Sequence, residues 1–286
     1  MNYKLTKAFP DNMIEPCQEK LKFALIGCGA VADHVHLPVV AMSERAKITV
    51  LVDKSSLRAR QLAEKYGVPE TVDDHRKIIG KVDAALVAVP HHLHAPITID
   101  LLQHGIHVLV EKPMALKTKD CDDMIKTAKN AGAVLAVGLA RRFYPSSQFV
   151  KNMLDRKLLG EIISYDFNEG AIYNWPVATD FMLRKETGGG VLADTGAHAL
   201  DTLLWWLGDY ESVDYYDDAM GGVEADCEIH LSLKSGAKGV IRLSRIRDLR
   251  NSYILRGEKA TLEIESNFNP EIDLKFGGQE FSLSGR

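Results

Sequence analysis

A short glycine-rich turn is the sharpest chemical feature of this sequence. Gly27, Gly29, Ala30 and Val31 belong to a G-x-G-x-x-A pattern that follows the apolar run 23–26 and opens a segment with helical spacing. Such a turn lets the backbone come close to a pyrophosphate, and the N-terminus of the helix then holds the anion. The alternative is a purely structural turn, because this glycine spacing also occurs by chance in tight strand–helix connections.

A carboxylate stands where an adenosine ribose would lie. Asp53 comes directly after the second apolar run, 48–52. A carboxylate in that place accepts hydrogen bonds from the ribose hydroxyls and repels a 2′-phosphate. The sequence therefore predicts dinucleotide binding with a preference for NAD, while the neighbouring Lys54 and Ser55 leave NADP binding open.

A lysine follows the fourth apolar run, which ends in Glu111-Lys112-Pro113. Because ligands of open α/β sheets bind beyond the carboxyl ends of the strands, Lys112 is expected to point into the cofactor crevice. A solvated loop lysine is the alternative. The position at a strand end favours the crevice.

A second group of polar residues follows three glycines in the C-terminal half. Asp194, His198 and Asp201 recur at helical spacing after the run 188–190. Asp194 and His198 are therefore expected one turn apart on one helical face, where the carboxylate can orient or charge the imidazole. A solvent-facing polar stripe is the alternative. The glycines argue against it, because such a run is costly unless the backbone must come close to another group.

Alternating strands and helices must position these residues. Continuous apolar runs, typical of strands buried on both faces of a parallel sheet, lie at 23–26, 48–52, 84–89, 107–110 and 133–137. Segments with helical spacing lie between several of them, at 56–66, 97–103 and 120–130. This alternation predicts an α/β fold, with an N-terminal doubly wound parallel sheet of Rossmann type over residues 22–142 after an N-terminal arm at residues 1–21.

The second half of the chain has a different pattern. Helical spacing is found at 146–157 and 192–207, and strand-like segments are found at 161–168, 225–233, 238–245, 251–257, 260–265, 271–276 and 279–284. Ser235-Gly236 and Gly277-Gly278 predict hairpin turns. Residues 143–286 are therefore expected to form an α+β domain built on a mostly antiparallel sheet.

Composition and charge exclude several classes of protein. Apolar residues make up 46% of the chain and charged residues 26%, which is typical of a globular protein with a substantial core. The net charge of −4 and the absence of a basic run argue against nucleic acid binding. Neither a signal peptide nor a membrane-spanning run is recognisable in the sequence, so a cytoplasmic location without membrane contact is expected.

No metal ion is expected in this protein. The four cysteines are widely separated and form no Cys-x-x-Cys pair. His91, His92 and His94 lie close together, but no acidic residue or cysteine accompanies them at ligand spacing. His94 is better explained as part of a cofactor-binding loop.

Together these motifs resemble the Gfo/Idh/MocA family of oxidoreductases. Four motifs carry the resemblance: the glycine turn, Pro90-x-x-x-His94, Glu111-Lys112-Pro113, and the three glycines followed by Asp194-x-x-x-His198. The resemblance covers roughly residues 22–265. It implies NAD(P)-dependent interconversion of an alcohol and a ketone on a sugar, polyol or sugar nucleotide, in a homo-oligomer formed through the C-terminal sheet.

The resemblance also implies roles for individual residues. Lys112 contacts the reacting oxygen, His198 acts as the acid/base, and Asp194 positions the substrate and His198. The residues expected to contact NAD, with NADP possible, are Gly27, Gly29, Ala30, Val31, Asp53, Pro90, His94, Glu111 and Lys112.

Three further residues are candidates for contact with the substrate. Arg142, beside Arg141, can hold a phosphate or carboxylate, and a solvated loop pair is the alternative. Tyr173 and Trp175 can stack on a sugar ring. Together with Asp194, they complete the expected substrate side of the site.

Two departures from the family pattern are visible. His91 stands where Pro90 is usually followed by Asn, so the loop on the nicotinamide side is expected to differ. The chain also stops at Arg286, where relatives usually continue with a further strand and a helix.

Two other functions remain open at this point. An NAD-dependent glycosidase on the same scaffold would use the same residues. A non-catalytic dinucleotide-binding regulator would have kept the fold alone, and the retention of Lys112, Asp194 and His198 argues against it.

Overall fold

Two sheets organise the chain, one in each half. The structure, a computed structural model, describes residues 19–176, 179–266, 271–276 and 278–284. Most of the arm predicted at residues 1–21, and the predicted turn residue Gly277, lie outside the described residues. No helix in the described part of the chain combines the length and the apolar content that a membrane crossing needs.

The N-terminal half contains a six-stranded parallel sheet. In chain order its strands are β1 (Leu21–Ile26), β2 (Ala46–Val52), β3 (Glu70–Val72), β4 (Ala84–Val87), β5 (His107–Val110) and β6 (Leu135–Val137). They lie in the order β3-β2-β1-β4-β5-β6, and every neighbouring pair is parallel. The predicted doubly wound parallel sheet is confirmed. Its strand order reverses at β1, and ligands of such sheets bind beyond the carboxyl ends of the strands at that point.

Local sequence explains where the helices of this half begin and end. They are α1 (Leu37–Ala41), α2 (Ser56–Tyr66), α3 (His94–Gln103) and α4 (Thr118–Ala131). The Ser55 side chain caps α2 by accepting a hydrogen bond from the backbone N–H of Arg58. Gly67 and Gly132 end α2 and α4 in the left-handed conformation, which glycine adopts without steric cost.

The C-terminal half contains an eight-stranded sheet in the order β14-β13-β12-β11-β7-β10-β9-β8. The strands are β7 (Ile162–Gly170), β8 (Tyr210–Asp217), β9 (Asp226–Leu233), β10 (Lys238–Ser244), β11 (Ser252–Gly257), β12 (Ala260–Glu265), β13 (Glu271–Phe276) and β14 (Gln279–Ser284). Only β7 and β10 pair in parallel among these described strands, so the predicted, mostly antiparallel sheet is confirmed. Its helices are α5 (Pro145–Asp155) and α6 (Ala197–Leu207).

Two strands were not expected from the sequence. β3 has only three residues, all half-buried, and carries no apolar run. β8 lies at the sheet edge, has β9 as its one partner among the described strands, and has every residue exposed. An edge strand of this kind lacks the alternation of buried and exposed positions by which strands are recognised.

Candidate active site

The glycine turn connects β1 to a helical segment that begins at Ala30 and Val31. Gly27 has a φ of +99°, and a Cβ there would lie 2.1 Å from the carbonyl oxygen of Ala88, so only glycine fits. A Cβ at Gly29 would meet nothing within 4 Å. The space in front of Gly29 is therefore a cradle that a side chain would fill, next to the start of a helix. These residues fit the pyrophosphate of a dinucleotide.

The carboxylate of Asp53 is already held by the protein. One oxygen, Oδ2, accepts from the backbone N–H of Cys28 at 2.8 Å. The other, Oδ1, accepts from the N–H of Ser55 at 2.7 Å and from Nη2 of Arg58 at 3.1 Å. A carboxylate offers about four acceptor positions, so acceptor capacity remains for a ribose hydroxyl. Arg58 was not expected here, although its place three residues after the helix cap is the signal that could have shown it.

Lys112, directly after β5 at the end of the N-terminal sheet, reaches into the C-terminal half. Its Nζ donates to the main-chain oxygen of Asp194 at 3.1 Å and also to the Oδ1 atom of that residue. The lysine side chain is 14% exposed and that of Asp194 25% exposed. The structure therefore brings together two residues that lie 82 positions apart in the sequence.

Asp194 has a second cationic partner. Nη2 of Arg245 donates to its Oδ2 at 2.6 Å. Burial opposes ionisation of this carboxyl, but Lys112 and Arg245 outweigh it and lower the pKa of Asp194 to about 2. Arg245 was not expected from the sequence, because no motif or spacing links it to Asp194.

The prediction that Asp194 orients or charges His198 remains a prediction: its charge raises the pKa of His198, but both of its oxygens are bound by cations. The carboxylate faces two full positive charges, which attract it more strongly than a neutral imidazole does. The turn Leu192–Gly196, on which Asp194 lies, is π-helical, and α6 with His198 begins directly after it.

His198 stays neutral in the absence of substrate. Burial, with the charges of Lys112 and Arg141, lowers the pKa of His198 to about 3. Its Nδ1 atom is buried and has no hydrogen-bond partner among the described residues. A neutral imidazole of this kind can accept a proton.

The three glycines let the backbone pack closely against other parts of the protein. Nδ1 of His91 lies 2.7 Å from the carbonyl oxygen of Gly188, which joins the loop after β4 to the glycine run. A Cβ at Gly188 would lie 2.3 Å from the Leu116 side chain, and one at Gly189 would lie 2.4 Å from the carbonyl oxygen of Met182. The close approach predicted for these glycines is thus to the protein itself.

His94 holds loops together and does not face a ligand. It is fully buried, and its ring nitrogens lie 2.8 Å from the carbonyl oxygen of Pro113 and 2.9 Å from that of Val89. The contact with a cofactor predicted for His94 is therefore wrong, because neither ring nitrogen can reach one. Pro90 precedes it at the start of a short 3₁₀ turn, His91–Leu93.

Glu111 lies half-buried beside the helical segment that follows the glycine turn. Its Oε1 lies 2.9 Å from Nε2 of His36, and its Oε2 accepts from the N–H of Lys112 at 3.1 Å. Burial raises the pKa of this carboxyl, but His36 and Lys112 outweigh it and lower the pKa below its usual value. The Glu111 carboxylate also packs tightly against Gly138, since a Cβ at that glycine would lie 3.2 Å from Oε2 of Glu111.

The arginine pair after β6 is engaged in internal ion pairs. Nε of Arg142 donates to Asp201 at 2.9 Å, and Nη2 of Arg141 donates to Glu169 at 2.8 Å. The prediction that Arg142 holds a substrate anion is not supported by this arrangement, because Asp201 already neutralises the guanidinium. Both arginines connect the end of the N-terminal sheet to elements of the C-terminal half.

The two candidate aromatic residues lie on the C-terminal side of the cleft. The guanidinium of Arg245 lies 4.7 Å from the ring centre of Tyr173, which places this tyrosine beside Asp194. Trp175 is 46% exposed, and its ring lies 6.0 Å from that of His34 in the helical segment after the glycine turn. Tyr173 thus adjoins the charged cluster, and Trp175 adjoins the dinucleotide cradle.

Two models of one protein family match this chain. The model described as "Oxidoreductase family, NAD-binding Rossmann fold" matches residues 21–139. The model described as "GFO/IDH/MocA C-terminal domain" matches residues 147–263.

Individual proteins show the same relationship. D-glucoside 3-dehydrogenase of Escherichia coli (strain K12) is 33% identical over 193 residues, which are 66% of this chain and 54% of that relative, so the chain spans about half of its length. The scyllo-inositol 2-dehydrogenase (NADP(+)) IolU of Bacillus subtilis (strain 168) is 27% identical over 90% of this chain and 80% of its own. The WlbA dehydrogenase from Bordetella pertussis, solved in complex with NADH and UDP-GlcNAcA, superimposes with a TM-score of 0.83 at 26% identity, over 91% of this chain and 78% of that one. The fold, the cleft residues and both family matches lead to one conclusion: this chain belongs to the Gfo/Idh/MocA family of NAD(P)-dependent oxidoreductases.

Proposed function

We propose that this chain is a dehydrogenase that transfers a hydride between the nicotinamide of NAD(P) and a hydroxyl or keto carbon of a sugar, polyol or sugar nucleotide. The observation that carries the proposal is the pairing of Lys112 with Asp194 across the cleft. The charges of both residues act on the pKa of His198, so a cation, a carboxylate and a neutral imidazole share one site. Relatives named as dehydrogenases of a glucoside and of an inositol support this substrate class.

The residues of the site have complementary chemical roles in this proposal. When bound, NAD(P) supplies the hydride acceptor or donor. His198 takes the hydroxyl proton of the alcohol as its carbon loses the hydride, and returns it in the reverse direction. Lys112 places a positive charge at the same oxygen, where negative charge develops. Gly29, Ala30 and Val31 hold the pyrophosphate, and Asp53 accepts from the ribose.

A panel of substrates tests the proposed function. The chain is incubated with NAD⁺ or NADP⁺ and with sugars, inositols and UDP-sugars, and the reduced cofactor is followed by absorbance. Reduction that depends on one of these alcohols supports the proposal. Hydrolysis of an aryl glycoside in the presence of NAD⁺, without net reduction of the cofactor, would instead assign the chain to the glycosidases on this scaffold.

Asp53 is expected to set the cofactor preference. NADH should bind more tightly than NADPH, because the carboxylate repels a 2′-phosphate. Asp53→Ser should narrow this difference about tenfold, since the variant removes the repulsion and releases Arg58 from its ion pair. Fluorescence titration with both reduced cofactors measures the change, and Asp73→Ser, which removes an exposed aspartate paired with Lys77, is the matched control. A wild-type protein that prefers NADPH would show that Arg58 and Lys54 dominate the site.

We also propose that copies of the chain associate through the outer face of the C-terminal sheet. Arg242 on β10 pairs there with Glu228 on β9 at 3.0 Å and with Asp166 on β7 at 3.2 Å. A face with alternating charges can be complementary to a second copy of itself around a two-fold axis. Light scattering should therefore give a mass that is a multiple of the chain mass of 31.7 kDa. A monomer at micromolar concentration would contradict the proposal.

A further inference from the structure

The carboxylate of Asp194 is shared between two cations that come from different elements. Lys112 follows β5 and binds Oδ1 together with the main-chain oxygen. Arg245 follows β10 and binds Oδ2 at 2.6 Å. The two oxygens of one carboxylate thus have separate partners, and the group of three residues carries a net charge of +1.

Arg245 is fixed more firmly than a surface arginine. Its side chain is only 9% exposed. Its backbone N–H donates to the carbonyl oxygen of Ala225 at 2.8 Å, and its own carbonyl oxygen accepts from the N–H of Tyr173 at 2.8 Å. The ring of Tyr173 lies 4.7 Å from the guanidinium carbon and covers it. The direction from which the arginine approaches Asp194 is therefore built into the sheet and the loop beside it.

The second cation changes what Lys112 can do. A lysine paired alone with an aspartate forms a neutral pair, because the negative charge of the carboxylate cancels the positive charge of the lysine. With Arg245 bound to the other oxygen, the carboxylate is neutralised from two sides, and a positive charge remains on the cluster. That charge lies where the proposed reaction develops negative charge on the substrate oxygen.

We infer that Arg245 is a positioning residue of the proposed dehydrogenase: through Asp194 it holds Lys112 in place and leaves the pair net cationic for the reacting oxygen. The inference rests on the proposed function, because it assigns the reacting oxygen to Lys112. Arg245 itself gives and takes no proton in this scheme. It acts only through the carboxylate that it binds.

The charges around Asp194 also determine the pH at which its carboxylate is protonated. The charged and titratable groups that act on this carboxylate, or on which it acts, are Lys112, Arg245, Tyr173, His91 and His198. Of these, the two cations favour its ionised form. Removing Arg245 removes one of them, so the pKa of Asp194 must rise and its protonation must begin at a higher pH.

Three variants test the inference. Arg245→Met removes the charge and keeps the length, Arg245→Gln keeps a donor for Asp194 without the charge, and Arg245→Lys keeps the charge. Arg247→Met is the matched control, because Arg247 lies on the same segment, is 61% exposed and pairs with Asp226 instead. Circular dichroism and NADH affinity establish that each variant is folded.

The first measurement does not depend on turnover. Carboxyl ¹³C NMR of aspartate-labelled protein follows the titration of Asp194, whose signal is assigned by its loss in Asp194→Asn. The midpoint should rise by about one pH unit in Arg245→Met and Arg245→Gln, and should stay at the wild-type value in Arg245→Lys and Arg247→Met. An unchanged midpoint in both uncharged variants would overturn the inference.

The second measurement uses whichever alcohol the wild-type chain oxidises. Arg245→Met should lower kcat about tenfold, move the acid limb of kcat to higher pH, and leave the KM for the cofactor unchanged. Arg245→Lys should restore most of the rate. A loss of kcat without a shift of the acid limb would contradict positioning through Asp194. If the wild-type chain oxidises no member of the panel, the proposed function fails, and the NMR titration still decides the role of Arg245.

Discussion

Lys112→Ala should lower kcat for alcohol oxidation by ~10²–10⁴-fold or more, and should lower NADH affinity by a much smaller factor, because Lys112 is also expected to contact the cofactor. The side chain is the cation closest to Asp194 across the cleft, and its loss removes the positive charge at the reacting oxygen. Steady-state kinetics with the active alcohol and fluorescence titration with NADH measure the two quantities. Lys119→Ala, which removes an exposed lysine paired with Asp123 on α4, is the matched control and should leave both unchanged.

His198→Ala belongs to the same prediction. Its loss of kcat should be of similar size, ~10²–10⁴-fold, and the losses should not add in the double variant, because both groups serve one transition state. Because the pKa of His198 is lowered to about 3, the imidazole is neutral well below pH 6.5. The kcat/KM of the wild-type chain should therefore show no acid limb near the pKa of a free histidine. A wild-type rate in His198→Ala would remove this residue from the mechanism.

Gly29→Val should abolish measurable NADH binding while the protein remains folded. The structure leaves open space in front of Gly29, so a valine side chain fits the protein but fills the place of the pyrophosphate. Fluorescence titration and circular dichroism measure binding and folding separately. An NADH affinity equal to that of the wild type in a folded Gly29→Val protein would show that the turn is purely structural.

Gly27→Ala provides the contrasting variant in the same turn. A Cβ there would overlap the carbonyl oxygen of Ala88 and would also occupy a strained φ of +99°. This substitution should therefore lower the melting temperature itself. Of these two variants, Gly29→Val alone is expected to lose NADH binding while it remains folded. Comparing it with Gly27→Ala therefore distinguishes a glycine needed for ligand contact from one needed for folding.

The N-terminal sheet was predictable because each of its central strands is buried on both faces. All four residues of β4 are buried, so a continuous apolar run marks the strand in the sequence. The C-terminal strands were recognisable from alternation, as in β9, where buried residues alternate with less buried ones over most of its length. β8 carries no such pattern, because an exposed edge strand imposes none.

The residues of the candidate site were easier to predict than the residues with which they form ion pairs. Lys112, Asp194 and His198 stand in recognisable motifs, but the pairing of Asp194 with Arg245 depends on how the segment after β10 packs against the π-helical turn Leu192–Gly196. The ion pair of Arg142 depends in the same way on tertiary packing, because its partner Asp201 lies 59 positions away in the sequence. Contacts between residues this far apart in the sequence are set by tertiary packing, so they cannot be predicted from local residue spacing.

The most direct test of the proposed activity follows the hydride itself. The alcohol that the wild-type chain oxidises is prepared with deuterium at the reacting carbon and incubated with NAD⁺ and the chain, and the cofactor product is analysed by mass spectrometry. We expect one deuterium in each NADH formed, with formation lost in Lys112→Ala and retained in Lys119→Ala. Cofactor reduced without deuterium from the alcohol, or reduced equally well by Lys112→Ala, would contradict hydride transfer at this site.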